Sequence, residues 1–210
     1  PAARGPVTGR SRARRMVSWS ARREPPMSDQ PARPIVNIDD LLASPDHVAT
    51  IDPRGPFAVR LGKIGEALGS TGIGINVTVV PPGRKAFPRH YHYVNDEMFV
   101  VLSGRGTLHF GEVDHPIGPG DVIHIKAGTG IAFQLDNTGA EELRYLGLST
   151  MIPADVFYYP DSDKHGIMAN GVPFNALPSD GLGRFAKWVE ADHGVGYYHN
   201  DPEAGGGTKD

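Results

Sequence analysis

The sequence predicts an all-β chain, a sandwich or barrel of short strands. Two observations carry this. Gly (27) and Pro (19) make up about 22% of the 210 residues, against roughly 12% in an average protein, and no Gly-X-Y period accompanies them. Between Phe57 and about Met151, short apolar runs alternate with turn signals roughly every 8–12 residues. So many breakers argue against a helical bundle. With 39% hydrophobic residues, the chain is long enough to bury a core without covalent staples.

The elements follow in chain order. Residues 1–26 hold seven Arg and one Glu, a balance of +6. The chain as a whole is −3, so the rest is acidic at −9. This head is rich in Pro, Ser and Arg, has no apolar period, and is expected to be disordered. It lacks the apolar run of a secretory signal. Its scarcity of acids is a trait of organellar transit peptides, but the simpler reading is an upstream extension, with Met27-Ser-Asp-Gln as the natural start. Residues 27–56 read as an arm, with one short helix at Asn37-Ile-Asp-Asp-Leu-Leu capped by Asn37.

Residues 57–152 read as the barrel. Ile73, Ile75, Val77 and Val79 alternate with small or polar residues as one strand, stopped by Pro81-Pro82-Gly83. Met98–Leu102, Thr107–Phe110, Val122–Ile125 and Leu143–Met151 read as further strands, and Ile131, Phe133 and Leu135 are expected to share one strand face. Residues 153–200 read as an extension packing on the barrel. Within it, Arg184–Glu190 is expected to form a short helix presenting Phe185, Trp188 and Val189. Residues 201–210 are Gly-rich and read as a flexible tail.

Composition excludes several classes. The chain has no Cys, hence no disulfide framework, thiolate metal site or Cys nucleophile. No apolar run approaches a membrane span. The acidic body argues against a nucleic-acid surface there. No Gly-x-Ser-x-Gly elbow points to a serine hydrolase, and Gly72-Ile-Gly74 is too little for a phosphate loop. Any metal would be held by His, Asp, Glu or water.

The chemistry concentrates in residues 83–104. His90 and His92 are two apart, so on a strand both imidazoles face one side. Glu97 follows after the turn-like Val94-Asn95-Asp96, and a hairpin there would return its carboxylate to the pair. Two imidazoles and a carboxylate form a facial set that leaves positions open on a metal such as Fe(II). Glu97 is also the candidate catalytic group. Arg84 and Arg89 are candidates for meeting an anionic substrate. Tyr91 and Tyr93, alternating with the histidines, are expected to face the other way.

These residues resemble the cupin superfamily. Its first motif is matched by Gly83, six residues, His90-Tyr91-His92, four residues, Glu97, six residues and Gly104; the first gap is one residue longer than usual. The second motif begins at Gly120-Asp121, has Lys126 where Pro is expected, and keeps Gly128. Its histidine is absent: Ile131 stands in the slot, or Phe133 if two residues are inserted, which places Asn137 at the motif's usual offset of four. The resemblance implies a jelly-roll β-barrel with N- and C-terminal extensions and a homodimer. It also implies a divalent metal (Fe, Mn, Zn or Ni) on His90, His92 and Glu97. His124 is the first alternative for a fourth ligand, and His109 the second. Phe133 is expected to line the substrate pocket.

The function expected is metal-dependent chemistry on a small polar metabolite, as a sugar or sugar-phosphate isomerase or epimerase. The alternatives are an Fe(II) dioxygenase and a non-catalytic metabolite binder with an incomplete metal site. The expected partner is a small molecule, with neither nucleic acid nor membrane, and the expected location is the cytoplasm.

Overall fold

Asn37 caps the first helix as expected. Its Oδ1 accepts hydrogen bonds from the N–H groups of Asp39 (2.9 Å) and Asp40 (3.2 Å) at the start of α1 (Ile38–Ala43). Those two acids also sit favourably at the positive end of the helix. A second short helix, α2 (Ile64–Leu68), ends at Gly69 in the left-handed conformation. Leu41 and Ile64 from the two helices bury against Val77 of the sheet beneath. The computed structural model describes residues 34–51, 55–169 and 185–192. The expected disordered head and flexible tail lie outside these residues.

The strands are β1 (Val48–Ile51), β2 (Val59–Gly62), β3 (Ile73–Val80), β4 (Tyr91–His92), β5 (Glu97–Ser103), β6 (Gly106–Phe110), β7 (Val113–Ile117), β8 (Val122–Ile125), β9 (Phe133–Asp136), β10 (Leu143–Thr150), β11 (Asp155–Tyr159), β12 (Lys164–Ala169) and β13 (Phe185–Glu190). One sheet has the order β1-β2-β3-β10-β5-β8. A four-stranded sheet, β13-β12-β11-β4, and a three-stranded sheet, β7-β6-β9, supply the rest. A bridge between His90 and Phe133 joins these two into one wall. It consists of His90 N–H to Phe133 O at 3.2 Å and Phe133 N–H to His90 O at 2.9 Å.

The two walls close on one core. Val80, Phe99, Val101, Leu143 and Tyr145 come from the first wall, and Leu108, Ile117, Phe133 and Leu135 from the second. Along β10 the alternation is plain: Leu143 and Tyr145 are buried, whereas Arg144 and Leu146 between and beside them are half-buried on the other face. The architecture is the all-β jelly roll that the sequence predicts. Gly104 makes the tight turn after β5 with φ +79°, and a Cβ there would run into the Glu142 carbonyl. Among the described residues, no helix is long and apolar enough to cross a membrane.

Three local expectations are corrected. The segment expected as a helix over Arg184–Glu190 is strand β13 from Phe185, antiparallel to β12. Its apolar spacing suits a helix, but β12 offers an unpaired edge whose N–H and C=O groups a strand satisfies. Residues 93–96 are not a hairpin: β4 and β5 lie in different walls, and the chain crosses between them. Ile131 does not share the face of Phe133 and Leu135. It precedes β9 and is 38% exposed, while they are 2% and 3% exposed.

Candidate metal centre

The wall crossing builds the site. His90 and His92 flank Tyr91 around β4, and the two-residue period turns both imidazoles inward. Tyr91 and Tyr93 turn outward, as expected, with their hydroxyls 3.0 Å apart and their rings beside Tyr158 and His165. Buried Asn95 pins the crossing. Its Oδ1 accepts from Thr150 Oγ1 and the Ile152 N–H, both at 2.8 Å, and its Nδ2 donates to the Ile152 carbonyl at 3.0 Å. Glu97 therefore enters the cavity from the opposite wall.

One ligand atom from each of His90, His92 and Glu97 lies within 4.8 Å of the others. Their protonation is legible from their partners. His90 Nδ1 lies 2.7 Å from the Pro88 carbonyl, which only accepts, so Nδ1 carries the proton and Nε2 is bare. His92 Nδ1 lies 2.6 Å from Asp155 Oδ2 and likewise donates. That leaves His92 Nε2 facing Glu97 Oε2 at 3.5 Å, and Oε2 is buried without a hydrogen bond. Two bare acceptors turned toward each other call for a cation between them. Donors bound at about 2.0–2.2 Å to one ion at tetrahedral angles stand roughly 3.4 Å apart. The residues thus fit a divalent metal.

The titration behaviour agrees. Burial and the neighbouring His92 hold the His90 pKa down at about 4, so this imidazole is neutral at ordinary pH. Burial opposes charge on His92, but the Asp155 hydrogen bond and the charges of Glu97 and Asp155 outweigh it and raise its pKa. Burial, with the Asp155 charge, raises that of Glu97 against the pull of His92. Without a metal, a proton on His92 relieves the same contact.

The cluster opens into a cavity of about 490 Å³, walled in large part by Phe99, Phe133, Tyr145, Phe157 and Tyr159. Phe133 stands beside this cluster, its ring 4.8 Å from that of His90 and 5.6 Å from that of Phe99. Asn137, four residues on, is buried and donates to the Val80 and Glu141 carbonyls, both at 2.7 Å.

The remaining candidates stand elsewhere. Arg84 donates to the Gly55 carbonyl and Arg89 pairs with Asp161 at 3.1 Å; neither is among the residues lining the cavity. His124 lies on the outer face of β8, 52% exposed, 3.5 Å from Asp96. His109 is held between Asp114 (2.6 Å) and Asp136 (3.0 Å). Neither histidine joins the His90, His92 and Glu97 group. Sequence reasoning missed Asp155, which lies 63 residues from His92 in a segment without a motif.

Residues 76–153 match the family model of the cupin domain. That stretch is a cupin domain, a jelly roll carrying a His/His/Glu cluster able to bind metal. The chain is 36% identical over 89 residues to Auxin-binding protein 1 of Arabidopsis thaliana, across 38% of this chain and 43% of that protein. The chain thus spans less than half the length of this curated relative. Among solved structures, a sugar phosphate isomerase of the cupin superfamily from Silicibacter pomeroyi is 25% identical, with TM-score 0.56, covering 64% of this chain and 78% of that one. A protein from Acidithiobacillus ferrooxidans is 26% identical, with TM-score 0.55, covering 66% and 80%.

Proposed function

We propose that the protein holds one divalent first-row metal on His90, His92 and Glu97 and isomerises or epimerises a small hydroxycarbonyl compound, such as a sugar or its phosphate. The observation that carries this is the facing pair His92 Nε2 and Glu97 Oε2 at the head of a ligand-sized cavity. Fe, Mn, Zn and Ni all suit two imidazoles and a carboxylate. When bound, such an ion supplies Lewis-acid polarisation of a substrate oxygen. The chain's own residues do the rest. Phe99, Phe133 and Phe157 keep water from the inner wall. Glu97 offers one oxygen to the ion, and its other carboxylate oxygen is the group that takes and returns a proton. Burial, with the Glu97 charge, keeps Tyr145 and Tyr159 as neutral phenols beside it. The likeness to the Silicibacter isomerase supports this reading.

Two other readings have an observation each. Phe133 replaces a fourth imidazole, and three protein ligands are the set that Fe(II) dioxygenases use. The aromatic wall also suits a partly apolar metabolite held without turnover, and a relative is named for binding auxin.

Elemental analysis of protein purified without chelator tests the metal, with His90→Ala beside the wild type. Stoichiometric metal that the variant loses supports the site, and its absence from both proteins overturns it. The loaded protein is then incubated with aldose and ketose pairs in D₂O. Deuterium at the carbon next to the carbonyl identifies an isomerase. Oxygen consumption identifies a dioxygenase, and saturable binding with neither identifies a binder.

A further inference from the structure

Asp155 stands two residues beyond the stretch that matches the cupin domain, yet its carboxylate backs the metal centre. The side chains of Asp155 and His92 are 13% and 14% exposed, and Oδ2 accepts from His92 Nδ1 at 2.6 Å. The sheet itself delivers the contact. β11 pairs with β4 through Phe157 opposite His92, and the Tyr93 N–H donates to the Val156 carbonyl at 2.8 Å. His90 differs: its Nδ1 rests on the neutral Pro88 carbonyl.

Charge gives the difference a purpose. A divalent ion on two neutral imidazoles and Glu97 keeps one net positive charge in a partly buried site. A second carboxylate one imidazole away cancels it. A histidine whose Nδ1–H meets a carboxylate is also oriented and made a stronger donor. Phe133 has removed one donor from this centre, so the remaining imidazoles matter more.

We infer that Asp155 is a positioning residue of the metal centre. It fixes His92 as the Nδ1–H tautomer with Nε2 toward Glu97, and its charge offsets the ligand that Phe133 displaces. This rests on reading His90, His92 and Glu97 as metal ligands.

The test uses the full chain as wild type, Asp155→Ala and Asp155→Asn. Calorimetric titration with Co²⁺ gives affinity, and ¹⁵N-resolved histidine NMR of the metal-free protein at a pH where His92 is neutral gives its tautomer. The Ala variant is expected to bind Co²⁺ about 10–100-fold more weakly and to shift His92 toward the Nε2–H tautomer. The isosteric Asn variant, whose carbonyl still accepts from Nδ1–H, is expected to keep the tautomer and lose affinity to a smaller degree. A role confined to folding would leave the tautomer of the folded variants unmoved. Wild-type binding with unchanged affinity and tautomer in both variants overturns the inference while leaving the metal site standing. No Co²⁺ uptake by the wild type overturns the metal reading itself.

Discussion

An aromatic ring at Phe133 lies 4.8 Å from the His90 ring and is 2% exposed, where an imidazole would add a fourth donor. Phe133→His should therefore tighten Zn²⁺ binding at least tenfold, or about 1.4 kcal/mol, as calorimetric titration would show. The same change removes packing against Phe99, so the metal-free variant should melt lower than the wild type. Unchanged affinity would mean that this position does not address the metal. Protonation gives a second expectation. Metal binding needs His92 Nε2 and Glu97 deprotonated, and both pKa values are raised. His90, at about 4, is already neutral above pH 5. Affinity for Co²⁺ should thus rise with pH as His92 gives up its proton above pH 6.5, by up to tenfold per unit while His92 remains the group displaced. A flat profile from pH 6 to 8 would show that His92 is not displaced by the ion.

At the scale of elements, the connection from β9 to β10 depends on one side chain. Asn137 is 1% exposed and ties the Val80 and Glu141 carbonyls, while its Oδ1 accepts from the Gly139 N–H at 3.0 Å. Asn137→Ala strands those partners, and the Val80 carbonyl among them faces a dry interior. It should cost about 2–4 kcal/mol, read as a lower urea midpoint with unchanged slope. Asn137 was visible in the sequence because it kept its offset from position 133, and that offset also singled out Phe133. His90, His92 and Glu97 were visible because their spacing is local. What local spacing does not carry is which wall a strand joins. The turn-like Val94-Asn95-Asp96 reads as a hairpin, yet Asn95 spends its hydrogen bonds on Thr150 and Ile152, and the chain crosses the barrel. Phe185, Trp188 and Val189 fit a helical stripe, and only the open edge of β12 makes them a strand. Asp155 shows the same limit: nothing in Asp-Val-Phe-Tyr-Tyr marks the first residue as the partner of a histidine 63 positions away.

For the whole molecule, the ligands' distribution matters more than their number. His90 and His92 belong to the second wall and Glu97 to the first. A bound ion therefore ties the two walls together, beside the two backbone hydrogen bonds by which His90 and Phe133 hold the second wall in one piece. An ion that binds only the folded state stabilises it by RT ln(1 + [M]/Kd), about 2.7 kcal/mol at a hundred times Kd. For a chain of this size that corresponds to roughly 5–10 °C in melting temperature. The rise should appear with Zn²⁺ or Co²⁺, reverse with chelator, and vanish in Glu97→Ala. Hydrogen exchange should slow in both β4 and β5, because unfolding either wall now releases the ion. Slowing confined to β4, with Glu97→Ala melting as the loaded wild type does, would mean that the histidines hold the metal alone and that the walls are not joined through it.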